Sequence, residues 1–377
     1  MYKKFFICLL CFFMTFTTAS AKDIHSIEAQ SYVLMDGQSG KVLLEKDSDM
    51  QLPPASITKI MTMLLTLEAV DKEVISLSDI VTVSESAAIH EGSHVFLEIG
   101  EQISVDDLMK AVAVASGNDA ANALAEHVSD SQDDFVKAMN KRAKELKMSN
   151  TNFVNCNGLD QENHYSSAMD VAKMTFEIAK HPEIFKYTSI WMDTLRDGAF
   201  QLANTNKLIR FYDGATGMKT GYTSNAGYCL SATAERNGIS LIAVVMKSPT
   251  SSGRFGDASA LLNYGFDSYT MIECGKKGQI YGEIAVEKGE NESVQAVLSE
   301  DVNLTVLKEE KGSVEEKILL PSKVSAPIYK NSTIGKVEYL INGRVVGEAE
   351  LVALNNSPKT TLSSCFKKLL KNIISCV

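Results

Sequence analysis

The sequence predicts an α/β (α+β) fold in which an antiparallel sheet packs against a helical lobe, followed by a small all-β C-terminal domain. Three observations lead to this prediction. A run that is apolar almost all round follows the proline pair at residues 53–54, and helical periodicity continues from residue 105 to about residue 186. Strand-like runs begin near Asp213, and beyond Gly275 the runs become short and alternating. The chain is 45% hydrophobic, which is enough apolar material for a large core divided over two or three domains.

The first part of the chain is predicted to contain a hairpin, a buried helix, three strands and a closing helix. Proline is tolerated at the start of the helix because the first amide donors there have no intrahelical partner. Asn237-Gly238 between the last two strands is the strongest two-residue hairpin signal. In chain order the predicted elements are the hairpin 31–35 and 41–45, the helix 56–70, the strands 215–222, 227–235 and 239–246, and the helix 258–266.

The second part is predicted to be a β domain of about 80 residues. Its clearest strands are residues 302–307, 337–341 and 345–351, the last two joined by Asn342-Gly343. We find no catalytic motif in it, so we expect a structural stalk or spacer.

The first 21 residues read as a secretory signal peptide. Lys3 and Lys4 give a positive start, residues 5–16 are almost unbroken apolar sequence, and Ala19-Ser20-Ala21 is a small-residue cleavage pattern. The apolar run is short for a membrane span. Removing this segment changes the formal net charge from −10 to −12. Because an acidic protein repels phosphate polymers, nucleic acid is excluded as a partner.

The cysteines show neither a disulfide framework nor a metal site. Five remain after the signal peptide, which is an odd number, and none of them has C-x-x-C spacing. They are predicted to be mostly small core residues, and no cofactor or metal is expected. The five are Cys156, Cys229, Cys274, Cys365 and Cys376.

Ser56-Ile57-Thr58-Lys59 carries the first chemical signal. A serine hydroxyl is a poor nucleophile until a base removes its proton. On a helix, residues three apart lie on one face, so Lys59 can reach the Ser56 hydroxyl. The positive end of the helix dipole and a dry site both disfavour a protonated lysine, which makes a neutral amine available as general base. Ser364-Cys365-Phe366-Lys367 has the same spelling but lacks this context, and we assign it no catalysis.

Two further triplets strengthen the signal. Ser116-Gly117-Asn118 precedes a helical run, so a hydroxyl there could relay a proton to the leaving group while the Asn118 amide holds the substrate backbone. Lys219-Thr220-Gly221 ends the first strand of the sheet, where a cation and a hydroxyl suit a substrate carboxylate and glycine permits a close ligand. Singly, each triplet is more often a helix cap or an exposed strand end. Together in this order they favour one site.

The three motifs in this order resemble the signature of the penicillin-recognising serine acyl-transferases. Their flanks narrow the resemblance to the D-alanyl-D-alanine carboxypeptidases among the low-molecular-mass penicillin-binding proteins. The resemblance runs from about Ser31 to about Phe266 and continues, more weakly, to about Leu354. The segments that carry it are PPASITK at residues 53–59, SGNDA at 116–120, NGLD at 157–160 and GMKTG at 217–221.

The resemblance implies a penicillin-binding transpeptidase-like catalytic domain and an acyl-enzyme mechanism. Ser56 would attack the carbonyl between two terminal D-alanines of a peptidoglycan stem peptide and release the last one, and water would hydrolyse the acyl-enzyme. Lys59 would activate Ser56, and Ser116 would pass the proton. The backbone amides of Ser56 and Tyr222 would form the oxyanion hole.

The resemblance also implies how the substrate is held. Lys219, Thr220 and Arg254 would bind the terminal carboxylate, and such a fixed anchor makes an exopeptidase. Asn118 and Gly221 would contact the substrate backbone. No glutamate stands in the sequence setting that speeds β-lactam hydrolysis in class A β-lactamases, so penicillin is expected to acylate Ser56 and remain there for some time.

Several alternatives stay open at this point. A β-lactamase or a D,D-endopeptidase would belong to the same superfamily, and a penicillin-binding wall anchor would acylate without turning over. A zinc metallopeptidase is suggested by His90-Glu91-Gly92-Ser93-His94, although Gly92 and Ser93 weaken the helix that this motif needs. A Ser-His-Asp hydrolase would need a Gly-x-Ser-x-Gly elbow, which the sequence lacks, and no histidine has a compelling partner.

The end of the chain predicts an amphipathic helix. Apolar residues recur at three- and four-residue spacing and lysines gather opposite, but about sixteen residues with three lysines will not span a bilayer. We expect an interfacial helix on anionic lipid, and the alternative is a helix docked on the protein itself. The apolar residues are Leu362, Cys365, Phe366, Leu369, Leu370, Ile373 and Val377, and the polar ones Ser364, Lys367, Lys368 and Lys371.

The expected organisation is an exported enzyme at the outer face of the cytoplasmic membrane. Its partners would be the peptidoglycan stem peptide, β-lactam antibiotics and, through the C-terminal helix, the membrane surface. The expected segments are a signal peptide (1–21), a serine carboxypeptidase domain (22–274), a β-rich stalk domain (275–354) and a linker with the amphipathic anchoring helix (355–377).

Overall fold

The computed structural model describes residues 24–88, 91–364 and 366. The predicted signal peptide and all but the start of the predicted C-terminal helix lie outside the described residues. The helices are α1 (Lys59–Asp71), α2 (Val105–Lys110), α3 (Asn118–Ser129), α4 (Gln132–Glu145), α5 (Ala168–Ile178), α6 (Ile184–Thr188), α7 (Leu208–Phe211) and α8 (Ser251–Ser268). The strands are β1 (Ser31–Asp36), β2 (Val42–Lys46), β3 (Ile80–Thr82), β4 (Gln102–Ser104), β5 (Met192–Leu195), β6 (Phe200–Ala203), β7 (Ala215–Thr223), β8 (Gly227–Arg236), β9 (Ile239–Ser248), β10 (Tyr269–Gly275), β11 (Ile280–Glu287), β12 (Ser293–Leu298), β13 (Val302–Leu307), β14 (Val314–Leu319), β15 (Lys323–Ser325), β16 (Thr333–Ile341) and β17 (Arg344–Ala353).

A five-stranded antiparallel sheet forms the centre of the first part, in the order β2-β1-β9-β8-β7. The predicted hairpin and the three predicted strands are confirmed. Asn237 and Gly238 join β8 to β9 with φ values of 51° and 79°, the conformation that a tight primed turn requires. The strand β7, which carries Lys219-Thr220-Gly221, lies at the edge of this sheet.

The sheet lies between two apolar layers, because successive side chains of a strand point to opposite faces. On β1, Val33 and Met35 join a core shared with α1, α3 and α5. Leu34, between them, joins a second core shared with α8. The central strands are therefore buried on both faces, and the predicted antiparallel sheet with its helical lobe is confirmed.

The central helix begins three residues later than its sequence pattern predicts. Residues Ala55–Thr58 form a 3₁₀ turn, and α1 starts at Lys59. The helix is buried on nearly every side, as expected from its apolar sequence. Because the turn continues directly into α1, Ser56 still lies close to Lys59.

The closing helix is longer than predicted, since α8 starts at residue 251 and not at residue 258. Gly253 and Gly256 each destabilise a helix by about 1 kcal/mol relative to alanine. The sequence therefore does not indicate a helix over these residues, and its start was predicted too late. Thr250 offsets this cost because its side chain accepts the Gly253 N–H and caps the helix. Arg254 is therefore a helical residue in the first turns of α8.

The second part is an all-β domain, as predicted. Its main sheet has six strands in the order β14-β16-β17-β12-β11-β15, antiparallel except for the β11–β15 pair. A separate core that includes Val337, Tyr339 and Leu351 fills it. The strand β10 follows α8 and pairs with β13, so the two parts are joined by a paired strand. Across the described residues, no helix is both long and apolar enough to cross a membrane.

Candidate active site

Ser56 and Lys59 are in contact at the junction between the 3₁₀ turn and α1. The Lys59 Nζ lies 3.1 Å from the Ser56 Oγ. The Lys59 side chain is fully buried, whereas Ser56 is partly exposed to solvent. A buried base behind a reachable hydroxyl is the arrangement that an activated serine nucleophile needs.

The contacts of the Lys59 amine define where its lone pair points. The Nζ donates to the Asn118 Oδ1 at 2.6 Å and to the Asn157 main-chain oxygen. Both of these oxygens can only accept hydrogen bonds. In a neutral amine the two N–H bonds are used by them, and the lone pair is left facing the Ser56 hydroxyl. The geometry therefore suits proton transfer from Ser56 to Lys59.

Burial also sets the protonation of this amine. It lowers the pKa of Lys59 to about 7, against the opposing effects of Cys156 and Asp119. A pKa near 7 means that about half of the molecules hold a neutral amine at neutral pH. A general base with a pKa near the working pH is the most effective one.

The Ser116-Gly117-Asn118 triplet lies at the start of α3, beside Lys59. Ser116 is buried and has a φ of 64°, a left-handed conformation that ends the preceding π-helical turn. The Asn118 Nδ2 donates to the Glu91 oxygen at 2.6 Å, which fixes the orientation of its amide with Oδ1 toward Lys59. Asp119 is buried and accepts the N–H groups of Val95 and Leu97, which holds residues 95–97 against this helix start.

The loop between α4 and α5 closes the other side of the Lys59 amine. Gly158 has a φ of 88°, and a Cβ there would lie 2.0 Å from the Ala55 oxygen. Only glycine lets the loop lie this close to the 3₁₀ turn. The neighbouring Asn157 supplies the carbonyl that accepts from Lys59.

His164 fastens the end of this loop to the 3₁₀ turn. Its Nδ1 accepts the Val154 N–H at 3.1 Å, so the neutral ring carries its proton on Nε2 and donates to the Thr58 Oγ1 at 2.8 Å. Burial lowers the pKa of His164 to about 4, so the ring is neutral at neutral pH. His164 thus has a structural partner that the sequence did not indicate.

The strand β7 lies directly against the 3₁₀ turn. A Cβ on Gly221 would lie 2.7 Å from the Pro54 oxygen, so this glycine is needed for the close approach. Lys219 is 1% exposed, and burial together with the charges of Lys59 and Arg254 lowers the pKa of Lys219 well below its ordinary value. The Thr220 hydroxyl donates to the Thr205 Oγ1 at 2.7 Å.

Arg254 reaches back from α8 to the same strand. Its Nη1 donates to the Gly221 oxygen at 3.0 Å, and its guanidinium lies over the Tyr228 and Phe255 rings. The guanidinium is mostly buried, and its Nε has no hydrogen-bond partner among the described residues. Within the same residues neither Arg254 nor Lys219 forms an ion pair with a side-chain carboxylate. Two buried basic side chains without an acidic partner among the described residues suit a bound anion, which would favour their protonated forms.

Tyr222 lies where β7 leaves the turn. Its side chain is 53% exposed and stacks on Tyr228 with ring centroids 4.4 Å apart. The ring therefore lines the surface beside the site, while the Tyr222 backbone continues from Gly221, which packs on residues 54–55. The Tyr222 backbone is thus one residue away from the contact between β7 and the 3₁₀ turn that contains Ser56.

The metal-site alternative does not gain support from the fold. His90 lies outside the described residues, and the segment from Glu91 to Val95 is not helical, with Gly92 at a φ of 70°. The helix that would place two imidazoles on one face is therefore missing from residues 91–94. No group of three or more His, Cys, Asp or Glu side chains among the described residues could hold a metal ion. Of the cysteines described, Cys156, Cys229 and Cys274 are all free.

The site thus joins five separate parts of the chain: the 3₁₀ turn with the start of α1, the start of α3, the α4–α5 loop, β7 and α8. The structure brings Ser56, Lys59 and Asn118 into direct contact, with Lys219 and Arg254 close enough to affect one another electrostatically. Sequence reasoning did not identify the loop carbonyl of Asn157 or the buried Asn122 behind it. The NGLD segment at residues 157–160 entered the sequence argument only through the family resemblance, which gave Asn157 no role at the Lys59 amine.

Comparison with known proteins gives consistent matches. A family model described as D-alanyl-D-alanine carboxypeptidase matches residues 15–250, more than half of the chain, and one described as penicillin-binding protein 5, C-terminal domain, matches residues 269–359. The D-alanyl-D-alanine carboxypeptidase DacF of Bacillus subtilis (strain 168) is 42% identical over 347 residues, which cover 91% of this chain and 89% of that protein. A crystal structure of penicillin binding protein 5 from Haemophilus influenzae is similar with a TM-score of 0.80 at 37% identity, covering 88% of this chain and 98% of the other. Penicillin-binding protein D2 from Listeria monocytogenes, in its ampicillin bound form, has a TM-score of 0.59 at 35% identity and covers 64% of this chain and 98% of its own.

Proposed function

Because the chain belongs to the D-alanyl-D-alanine carboxypeptidase family and is a serine hydrolase of that kind, we propose that it releases the terminal D-alanine of peptidoglycan pentapeptides through an acyl-enzyme on Ser56. The observation that carries this assignment is the Lys59 amine, which is buried, has both N–H bonds occupied and lies 3.1 Å from the Ser56 Oγ.

Acylation begins when the neutral Lys59 amine takes the Ser56 proton. The Ser56 oxygen then attacks the carbonyl between the two D-alanines, and the backbone amides of Ser56 and Tyr222 stabilise the negative charge that develops on the carbonyl oxygen. Ser116 passes a proton to the leaving amine, and D-alanine departs. Water next attacks the ester and regenerates Ser56.

Lys219, Thr220 and Arg254 bind the carboxylate of the departing D-alanine. Lys219 and Arg254 are buried basic groups without an acidic partner among the described residues, so an arriving carboxylate stabilises their charged forms. Binding of this carboxylate favours a protonated Lys219, so the positive charge of the site increases when the carboxyl end of the substrate binds. Asn118 and the edge strand β7 hold the preceding backbone, in the way that an extended peptide adds to a sheet edge.

Penicillin labelling tests the nucleophile directly. After incubation with benzylpenicillin and proteolysis, mass spectrometry is expected to find the drug on the peptide that contains Ser56. The same preparation is expected to release free D-alanine from a synthetic pentapeptide, measured by a D-amino acid oxidase assay.

These two readings separate the alternatives. A labelled protein that releases no D-alanine would be a penicillin-binding anchor, and rapid loss of the label would indicate a β-lactamase. Activity that a chelator abolishes and penicillin leaves intact would mean a metallopeptidase. A label on any other serine would contradict the proposed role of Ser56.

The enzyme works on the cell wall, outside the cytoplasm. We propose a division of the chain that suits this location. Residues 1–21 would direct export, residues 22–274 would form the catalytic domain, and residues 275–354 would hold it away from the membrane. Residues 355–377 would carry an interfacial helix. At its start, the Thr361 Oγ1 accepts the Ser364 N–H at 3.1 Å, an N-cap contact, and Leu362 is 93% exposed.

Deleting residues 361–377 is expected to release a soluble and fully active enzyme, because the site lies entirely within residues 54–254. Sedimentation with vesicles of anionic lipid measures the change. A full-length variant with Lys367, Lys368 and Lys371 replaced by serine is the matched control and should bind more weakly, by roughly 1 kcal/mol per lysine. Truncated protein that still sediments with the vesicles would disprove the anchor.

A further inference from the structure

A second asparagine on α3 lies one turn beyond the one that touches the Lys59 amine. Asn118 and Asn122 are four residues apart, so both side chains lie on the same face of the helix. Asn122 is 4% exposed and has no part in the three motifs. A buried amide is kept only where its polar atoms are used, so its partners show what it does.

The Asn122 Oδ1 accepts two hydrogen bonds from the loop behind Lys59. The Asn157 Nδ2 donates to it at 3.0 Å, and the Cys156 Sγ donates at 3.3 Å. Burial raises the pKa of Cys156 to about 12, so the thiol keeps its proton and acts as a donor. These two residues precede Gly158, at the point where the loop packs on the 3₁₀ turn.

Asn157 is held at both ends of its side chain. Its Nδ2 is bound by Asn122, and its Oδ1 accepts the Leu159 N–H at 3.0 Å. The preceding carbonyl, that of Cys156, accepts from the Thr62 hydroxyl at 2.6 Å. The peptide that carries the Asn157 carbonyl is itself held by the Gly158 N–H, which donates to the Asn155 Oδ1 at 2.7 Å. In this arrangement the Asn157 carbonyl points toward the Lys59 amine.

We infer that Asn122 is a positioning residue for the catalytic base: through Asn157 it fixes the carbonyl that holds one N–H of Lys59 and so directs the lone pair at Ser56. Asn118 holds the other N–H. Helix α3 therefore positions the amine directly through Asn118 and indirectly through Asn122 and the Asn157 loop. Asn122 does not touch the reacting atoms. The inference rests on the proposed roles of Ser56 and Lys59.

A purely structural role would look different, and the chain offers a control for it. Asn140 on α4 also ties this loop down, since it accepts the Phe153 N–H at 2.9 Å and donates to the Phe153 oxygen at 2.7 Å. Replacing Asn140 removes two hydrogen bonds to this loop, as replacing Asn122 does. Its partner lies four residues before Asn157, and the hydrogen bonds that Asn140 forms with described residues go to Val136 and Phe153, not to Lys59 or Asn157.

A charged variant, Asn122→Asp, tests whether Asn122 acts through the position of the Asn157 carbonyl. The charged or titratable groups that act on Lys59 are Asp119 and Cys156, and Lys219 is in turn affected by Lys59. In Asn122→Asp a carboxylate oxygen still accepts from Asn157 and Cys156, so the carbonyl keeps its direction. The added negative charge favours the protonated amine and shifts the pH at which Lys59 becomes active upward.

The test compares Asn122→Leu, Asn122→Asp and Asn140→Leu in the full chain, with a pentapeptide substrate. Asn122→Leu is expected to lower kcat roughly ten- to a hundredfold with little change in KM, because a misplacement of about 1 Å costs up to a hundredfold while the substrate contacts remain. Penicillin acylation, which uses the same base, should slow by the same factor. Asn140→Leu should lower the melting temperature and leave kcat close to that of the wild type.

Asn122→Asp should regain kcat at high pH, and the acid limb of its kcat profile should lie at higher pH than that of the wild type. An unshifted limb, or equal losses of kcat in Asn122→Leu and Asn140→Leu, would overturn the inference even if the leucine variants fold poorly. Absence of penicillin on Ser56 in the wild-type protein would instead overturn the proposed function, so the two failures are distinguishable.

Discussion

Ser56→Ala is expected to reduce the release of D-alanine by about a millionfold, the loss found when other serine nucleophiles are removed. The reason is that no other hydroxyl takes its place: the Lys59 amine faces Ser56, and its remaining contacts are two carbonyl oxygens. The variant should also lose covalent labelling by penicillin. A coupled D-alanine assay and mass spectrometry of the intact protein measure the two effects.

Ser364→Ala is the matched control for this prediction, because Ser364 opens the second Ser-x-x-Lys spelling of the chain. Ser364 is partly exposed, and its hydroxyl bonds to Thr361 at the beginning of the C-terminal segment, far along the chain from every residue of the site. It should keep full activity and full labelling. Penicillin label that persists in Ser56→Ala would mean that a different residue is the nucleophile.

The parts of the fold that were predicted correctly are those set by local chemistry. Asn237 and Gly238 tolerate the positive φ values that the β8–β9 turn demands, and this property can be read from two residues. The same holds for α1, where the apolar character on every side can only be satisfied by burial. The three motifs also predicted which residues would lie near one another, because each motif marks the start of a helix or the edge of a strand. The fold brings Ser56, Lys59 and Asn118 together.

The parts that were missed depend on contacts between distant segments. The start of α8 was concealed by Gly253 and Gly256, whose low helix propensity is overcome by the Thr250 cap and by packing of the helix against the sheet. The short strand pairs β3–β4 and β5–β6 have three or four residues per strand, too few for an alternating pattern to show.

Asn122 and His164 illustrate the same limit inside the site. Each is a common polar residue without a motif, and its role comes from a partner 35 or 106 residues away in the chain. A single sequence gives no information on such pairs. The folded chain makes them visible because a buried amide or imidazole must have a partner.

Lys59→Met is expected to lower kcat/KM nearly as far as removal of the nucleophile does, and to change its pH dependence. In the wild-type enzyme only the neutral amine accepts the Ser56 proton, so kcat/KM should rise tenfold per pH unit below the Lys59 pKa of about 7 and level off above it. The methionine thioether is far too weak a base to take the Ser56 proton, so the residual activity of the variant should lack this limb. Stopped-time assays of D-alanine release between about pH 5 and pH 9 measure the profile, since Lys59 changes protonation within that range.

The variant should remain folded, because methionine has a similar length and the surroundings of α1 are apolar. The variant loses the hydrogen bonds of the amine to Ser56, Asn118 and Asn157, at roughly 1–3 kcal/mol for each of the two carbonyl acceptors left unpaired. Lys110→Met is the control, since that lysine is paired with Asp107 outside the site and its loss should leave the pH profile unchanged. A Lys59→Met enzyme with the wild-type acid limb would show that another group is the base, because the limb belongs to whichever residue takes the proton from Ser56.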